Sequence, residues 1–459
     1  MKGVSETMAE NLSLSQQLAQ YACSLTYENL SWDQVQKVKT HFLDWLGTVY
    51  AGRTQTPIQI ILEVIGNLGG QPESTIIPTN GKKTMCLLAA WVNSASCCLL
   101  EMDDLHRESI FHPASVVIPA VLALAEREHA SGREIIAAIA AGYEVGIRVA
   151  LGVGISHYRF WHPTATCGTF AAAAGAAKII GLDAEKFTWA LGSAGTQAAG
   201  LWEFLVESAM SKPLHIGKAA MNGLLAALMA QKGLTGARKI LEGEKGFFHA
   251  TSQDYREDKC LEGLGQKFLF EQTSLKYYAS CGHTHSTIDA VLRATGAKPV
   301  SAKEIERVNV YIYQAALDLL GKVEPTTPTQ AKFHLPFCVA TALLYGGVES
   351  KDFNLAQLTN PKIYELMPRV RLYSDSELTR NYPCKWISRV EIITRAGQRL
   401  EGICELPKGD PANPLTEGEV IQKFKILSKN ALSSKAVERI LERVMNLEQV
   451  DDVVNLLNV

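Results

Sequence analysis

The residue periodicity changes twice along this chain, and that change limits the fold more than any single motif does. Up to about residue 260 the signals are helical. Ser31-Trp-Asp-Gln34 has the form of a capping box, and Val35, Val38, Phe42 and Leu46 follow at helical spacing. Ser131-Gly-Arg-Glu134 is a second box that opens an Ala-rich run, and Asp183 caps a helix after Gly181 has ended its predecessor. From about residue 268 alternation takes over. Residues 308–313 read as a half-buried strand, and 390–394 with 399–404 read as a hairpin around Ala396-Gly397. A helix over 337–344 lies between them. After Pro407-Lys-Gly-Asp-Pro411, a linker in composition, the box Thr416-Glu-Gly-Glu419 restarts the helical pattern. The expected fold is therefore mostly α. A large all-helical domain is built from both chain ends, 1–267 and 412–459, and a smaller α+β lid domain is inserted at 268–411. Nothing repeats at a fixed period, which argues against a solenoid.

The longest apolar stretches, 135–153 and 165–182, are rich in Ala and Gly and interrupted by Glu144, Arg148 and Lys178. They are too weakly hydrophobic for membrane spans and read as buried helices that approach one another closely, as do 170–177 and 219–230. With 459 residues the chain can bury a sizeable core without staples. Ten cysteines are too dilute for a disulfide scaffold, and no C-x-x-C occurs. The first twelve residues lack the apolar run of a signal peptide. A formal charge of −2 gives no bulk field for nucleic acid or an anionic membrane, so neither is expected as a partner. A cytoplasmic protein is expected.

Four histidine-containing clusters interrupt the apolar background. In Glu101-Met-Asp-Asp104-Leu-His106-Arg107, followed by His112-Pro113, three carboxylates within four residues repel one another; the segment is either a solvated acidic turn or a site where cations offset it. In Tyr158-Arg159-Phe-Trp-His162-Pro163-Thr, the proline permits a helix start whose unpaired N–H groups face an anion, and Arg159 beside His162 would suit a carboxylate; a packed turn is the plainer reading. Ser211-Lys212-Pro213-Leu-His215-Ile-Gly217-Lys218 presents Lys212 from a turn but lacks the glycine and Ser/Thr of a phosphate loop, and a surface basic turn is the alternative. In Lys276-Tyr-Tyr-Ala-Ser-Cys281-Gly-His283-Thr-His285 the spacing is wrong for a zinc finger, so a set of cations and proton donors is the plainer functional reading. Together the clusters offer Lys, His and Arg for carboxylates and His or Asp for proton transfer. That suggests acid–base chemistry on a small anion, with no cofactor and no metal expected.

Read in order, these clusters, with Ala331-Lys332-Phe-His334-Leu-Pro336-Phe337 after them, resemble the MmgE/PrpD family. That family includes 2-methylcitrate dehydratase, cis-aconitate decarboxylase and iminodisuccinate epimerase. The resemblance runs from Asp44-Trp-Leu-Gly47 to the C-terminal helices, and Ser211-Lys-Pro-Leu-His215 is its most specific element. It implies a discontinuous helical domain, an inserted lid and a homodimer. It places catalytic positions on Glu101, His112, His162, Lys212 and His285, and substrate-binding support on Asp103, Asp104, Arg159, His215, Lys276 and His334. The implied partner is a small di- or tricarboxylate.

Three positions depart from the family pattern: Glu101 stands for Asp, Leu105 for a Thr that could hydrogen-bond, and Phe337 for a Tyr that could donate a proton. His334, where Ser is more usual, either substitutes for that donor or fills the lid core. The leading expectation is dehydration of a hydroxy-polycarboxylate related to 2-methylcitrate. Epimerisation, as of iminodisuccinate, decarboxylation of cis-aconitate and carboxylate binding without chemistry stand as alternatives.

Overall fold

The computed structural model describes residues 12–79, 81–207, 209–320 and 324–458. The N-terminal stretch read above for a leader thus lies outside the described residues, Leu12 apart. Of the described residues 59 % are helical and the sheets among them are small, a mostly-α fold. Its chain divides into two compact units. One comprises residues 1–99, 103–273 and 416–459, and the other residues 100–102 and 274–415.

In the first unit every capping box legible in the sequence is formed. Ser31, Ser131 and Thr416 each accept the backbone N–H three residues on, and Gln34, Glu134 and Glu419 return the bond. The helices Ala114–Glu128, Gly132–Val153, Pro163–Ile179 and Lys212–Gln231 form the centre of this unit, with Pro163–Ile179 packed on the other three. Small residues set their separation: Gly142 and Gly146 lie against Ala171, and Gly175 against Val121. A Cβ on Gly223 would sit 2.6 Å from the Thr169 carbonyl oxygen and from the Ala173 nitrogen. These are backbone atoms of a packed helix and cannot swing aside. Gly223→Ala is accordingly expected to cost about 1–3 kcal/mol, seen as a lower urea midpoint at unchanged slope; an unaltered midpoint would show slack between these helices.

Among the described residues, Gly132–Val153 is the one helix long and apolar enough to cross a membrane, and 94 % of its apolar window is buried inside the protein. Three of the central helices start at a proline: Pro113 precedes Ala114, Pro163 opens its helix, and Pro213 is second in Lys212–Gln231. Proline's fixed φ and missing N–H suit a first turn. The residue before each one (His112, His162, Lys212) is thereby set at a helix N-terminus, where backbone N–H groups are unpaired.

The second unit holds a four-stranded sheet in the order Val370–Ser374, Ile305–Ile312, Ser388–Thr394, Arg399–Cys404. The first pair is parallel and the others antiparallel. Alternate residues of Ser388–Thr394 (Ser388, Val390, Ile392, Thr394) face inward, as the period-two pattern requires. The helix Gly282–Thr295 packs on the two last strands and against the helix Leu335–Tyr345. The segment at 407–411, a linker in composition, is pinned: the Lys408 N–H donates to Asp289 at 2.7 Å.

Candidate active site

In the first unit the acidic run is not a solvated turn. Asp103 and Asp104 are each 1 % exposed, and donors from two helices meet them. Ser115 Oγ donates to Asp103 Oδ2 at 3.1 Å, Tyr143 O–H to Asp104 Oδ2 at 2.9 Å, and the Ala114 N–H, unpaired at its helix start, to Asp104 Oδ1 at 3.0 Å. His112 Nδ1 hydrogen-bonds the Asp104 carbonyl and lies 3.2 Å from Asp103 Oδ2. A carbonyl only accepts, so the proton sits on Nδ1 and Nε2 carries the lone pair of the neutral ring. Thr164 Oγ1 takes the His112 N–H at 3.2 Å, which ties this strand of residues to the helix Pro163–Ile179.

Burial pushes the Asp104 carboxyl from its ordinary 3.8 up to about 7; Asp103 adds to this, while His112, Tyr143 and the Ala114 N–H oppose it. The folded protein therefore holds that proton more tightly than the unfolded chain does. The resulting stability is complete below the unfolded pKa and is lost as pH rises through the folded one. Denaturation followed over this range is expected to show the wild type losing stability relative to Asp104→Asn; parallel curves would contradict it.

His162 caps the helix Pro163–Ile179, and its N–H donates to the Gly200 carbonyl at 3.0 Å. Gly200 has φ +152°, and a Cβ there would fall 2.5 Å from Ala165 Cβ and 3.3 Å from His215 Nδ1. Only glycine lets this loop lie against both histidines. Four rings then close on one another: His162 with Trp202 at 4.6 Å, Trp202 with Phe204 at 5.7 Å, Phe204 with His215 at 5.1 Å and His215 with His162 at 5.9 Å. His162 Nδ1, His215 Nδ1 and Trp202 Nε1 are buried without a hydrogen-bond partner among the described residues. Buried polar atoms are nearly always paired, so three such nitrogens on touching rings are open to the polar atoms of water or of a ligand.

The electrostatics point the same way. Burial holds His162 well below its ordinary value, with Lys212, His215 and His112 lowering it further and Asp103 opposing. His215 is pushed down to about 4 by burial, then by Lys212 and Lys218. Lys212, His215 and His112 thus all act on His162, and an anion among them would relieve the repulsion. Lys212 is the first residue of its helix, where a cation opposes the helix dipole; ammonium and helix terminus both favour a negative charge at that spot. Arg159 is exposed, with its guanidinium 5.0 Å from the Phe160 ring centroid.

The second unit carries the other candidate residues. Lys276 Nζ lies 3.3 Å from Glu101 Oε2, both buried, and Glu101 holds φ +56°, a conformation few side-chain-bearing residues adopt. His285, on the helix Gly282–Thr295, donates from Nε2 to the Ser280 carbonyl at 3.3 Å, which leaves Nδ1 with the lone pair. His283 is occupied in the fold: its Nδ1 bonds Tyr313 O–H at 2.7 Å and its ring stacks on Trp386 at 4.1 Å. His334 caps the helix Leu335–Tyr345 by accepting the Phe337 N–H on Nδ1 at 3.2 Å. Its neutral ring therefore keeps its proton on Nε2, and burial, which pushes it down to about 4, keeps the ring neutral. Phe337 is wholly buried, 5.8 Å from the Phe353 ring. Among the described residues no group of three or more His, Cys, Asp or Glu side chains is placed to hold a metal ion.

Two family models cover most of this chain. The MmgE/PrpD N-terminal domain matches residues 16–258, and the MmgE/PrpD C-terminal domain matches residues 278–449. The chain belongs to the MmgE/PrpD family. Among its relatives in that family, the cis-aconitate decarboxylase of Aspergillus terreus is 26 % identical over 471 residues, covering 97 % of this chain and 95 % of the relative. The human cis-aconitate decarboxylase is 26 % identical, covering 96 % and 93 %. The 2-methylcitrate dehydratase of Cupriavidus necator is 23 % identical over 213 residues, 45 % of this chain and 44 % of the relative. Three residues around the first-unit cluster went unread in the sequence: Ser115, Tyr143 and Trp202. None belongs to a histidine motif, and only the fold puts their polar atoms beside one. Ser115 follows closely on the His112-Pro113 pair, the one local signal that marked it.

Proposed function

We propose that this MmgE/PrpD protein is a cofactor-independent lyase acting on a small di- or tricarboxylate, with decarboxylation of a cis-aconitate-like acid as its first reading. The observation that carries the anionic substrate is the set of unpaired buried nitrogens on His162, His215 and Trp202 beside Lys212. Near full-length likeness to cis-aconitate decarboxylases, against partial likeness to 2-methylcitrate dehydratases, favours C–C cleavage over the dehydration that the sequence alone put first. Dehydration is the second reading.

In this mechanism Lys212, His162 and His215 hold carboxylates and steady charge that develops beside them. His112 moves the proton, because the Asp103 carboxylate at 3.2 Å favours its charged form and its Nδ1 is fixed, which leaves Nε2 to act. As carbon dioxide departs, the pair from the broken C–C bond forms a new terminal double bond. The pair of the former double bond takes the proton from His112 at the carbon next to a remaining carboxylate. The protein is further proposed to act as a homodimer, whose interface would cover the exposed Leu201, Val206 and Met210; light scattering of the eluting protein tests that.

The deciding assay incubates purified protein with cis-aconitate, 2-methylcitrate and citrate and follows carbon dioxide and alkene absorbance. Carbon dioxide from cis-aconitate is the expected result. Alkene formation from 2-methylcitrate alone would move the assignment to dehydration. Deuterium uptake from heavy water by a dicarboxylate such as iminodisuccinate, without net product, would replace lyase by epimerase. Calorimetric binding with no turnover of any of these acids would leave only a carboxylate-binding protein.

A further inference from the structure

Behind His112 lies a run of buried charged groups that the reaction as read above does not use. His41 and Asp44 stand one turn apart on the helix Trp32–Gly52, both buried. Lys423, from the helix Glu417–Ser428, reaches Asp44 Oδ1 at 2.6 Å. On its other side His41 Nδ1 lies 3.3 Å from Asp104 Oδ2, with its ring edge-on to Tyr143 at 5.6 Å. Although the His41 side chain is 1 % exposed, neither of its nitrogens meets hydrogen-bond geometry with any described residue. An unpaired buried polar group is costly, so packing alone does not account for an imidazole here.

Burial pushes His41 down to about 3, Lys37 and Lys423 lower it, and Asp44 opposes. The ring is neutral and has one N–H to give. The carboxylate oxygen within reach of Nδ1 is Asp104 Oδ2, at 3.3 Å, where Tyr143 O–H already donates. We propose that His41 is a positioning residue: a small turn of its ring aims Nδ1–H at Asp104, favours the ionised form of that carboxyl against the pull of burial, and so raises the proton affinity of His112.

The groups facing Asp104 are consistent with one controlling donor. Tyr143 and the Ala114 N–H are fixed donors, and Cys97, on the helix behind, is a thiol that burial holds well above its ordinary value and therefore neutral. Asp103 and His112 lie in front, with Lys212 and the His162–His215 pair beyond them acting on the same cluster. Among these, His41 is the group whose bond to Asp104 is a short rotation from being made or lost.

This rests on His112 as the proton carrier, so the test reads His112 directly and without substrate. In full-length protein labelled on histidine with carbon-13 and nitrogen-15, the His112 signal is identified by its loss in His112→Gln. His41→Leu is expected to lower the His112 titration midpoint by about 0.5–1 pH unit, because Asp104 without that donor spends less of its time ionised and favours the charged ring less. His41→Asn, whose amide can stand in for Nδ1–H, is expected to recover at least half of that shift. An unchanged midpoint in folded His41→Leu overturns the proposal. Should that variant fail to fold, the wild-type nitrogen spectrum decides: a neutral His41 protonated on Nδ1 supports it, and a charged ring or a proton on Nε2 overturns it. Failure of every substrate assay would leave this measurement intact.

Discussion

Lys212→Ala is expected to lower kcat/KM for the polycarboxylate turned over by about 30- to 150-fold, the loss of one charge-assisted hydrogen bond to a buried carboxylate at about 2–3 kcal/mol. The physical case is electrostatic. Lys212 stands at the first position of Lys212–Gln231, where the helix dipole repels it, and its charge lowers the proton affinity of both His162 and His215. A cation placed to lower both imidazoles is suited to meet an anion there. The comparison is made on folded Lys212→Ala, checked by circular dichroism. An enzyme with unchanged kcat/KM would show that the carboxylate site lies elsewhere.

The largest stability effect is expected at Arg148. Its side chain and that of Glu144 are fully buried, with Nε 3.1 Å from Glu144 Oε2. The guanidinium also donates to the carbonyls of Cys260, Glu262 and Lys267 at 3.2, 2.9 and 3.0 Å. Glu144 Oε1 in turn accepts the Phe270 N–H at 2.9 Å. One ion pair on the central helix Gly132–Val153 thus fastens the irregular segment over 260–270. Arg148→Met strands the Glu144 charge and three carbonyls, at about 3–5 kcal/mol. The double variant Arg148→Met with Glu144→Gln should recover part of that loss, because the stranded charge is gone even though the carbonyls stay bare. Equal stability of Arg148→Met and wild type, measured by urea denaturation, would mean that water reaches this segment and the pair is not a clasp.

Glu144 and Arg148 also show what local pattern conveys and what it leaves out. In the sequence they read as interruptions that disqualify a membrane span. Their spacing of four, one helical turn, already allowed an ion pair, but nothing in the sequence named the carbonyls that the guanidinium collects over a hundred residues later. His41 is similar. Its helix is legible from the Ser31 box and the apolar stripe, and Asp44 lies in a segment that resembles the family, yet the approach of His41 to Asp104 depends on how helices pack. Arg159 errs in the opposite direction: adjacency to His162 suggested a shared task, but the chain turns between them and leaves the guanidinium over Phe160 in the open. The acidic run at 101–104 admitted two readings, and burial by two helices chose between them.

Period, caps and prolines determined the helices and strands, because hydrogen bonding within a turn and alternation within a strand depend on neighbours a few residues away. The same prolines set His112, His162 and Lys212 at helix starts. Tertiary packing alone decided which of those starts share a field, which buried nitrogens are left without partners, and which carboxylates stay protonated. Those properties arise from exclusion of water and from charges brought within a few ångströms by chain segments remote in sequence, and no local pattern encodes either.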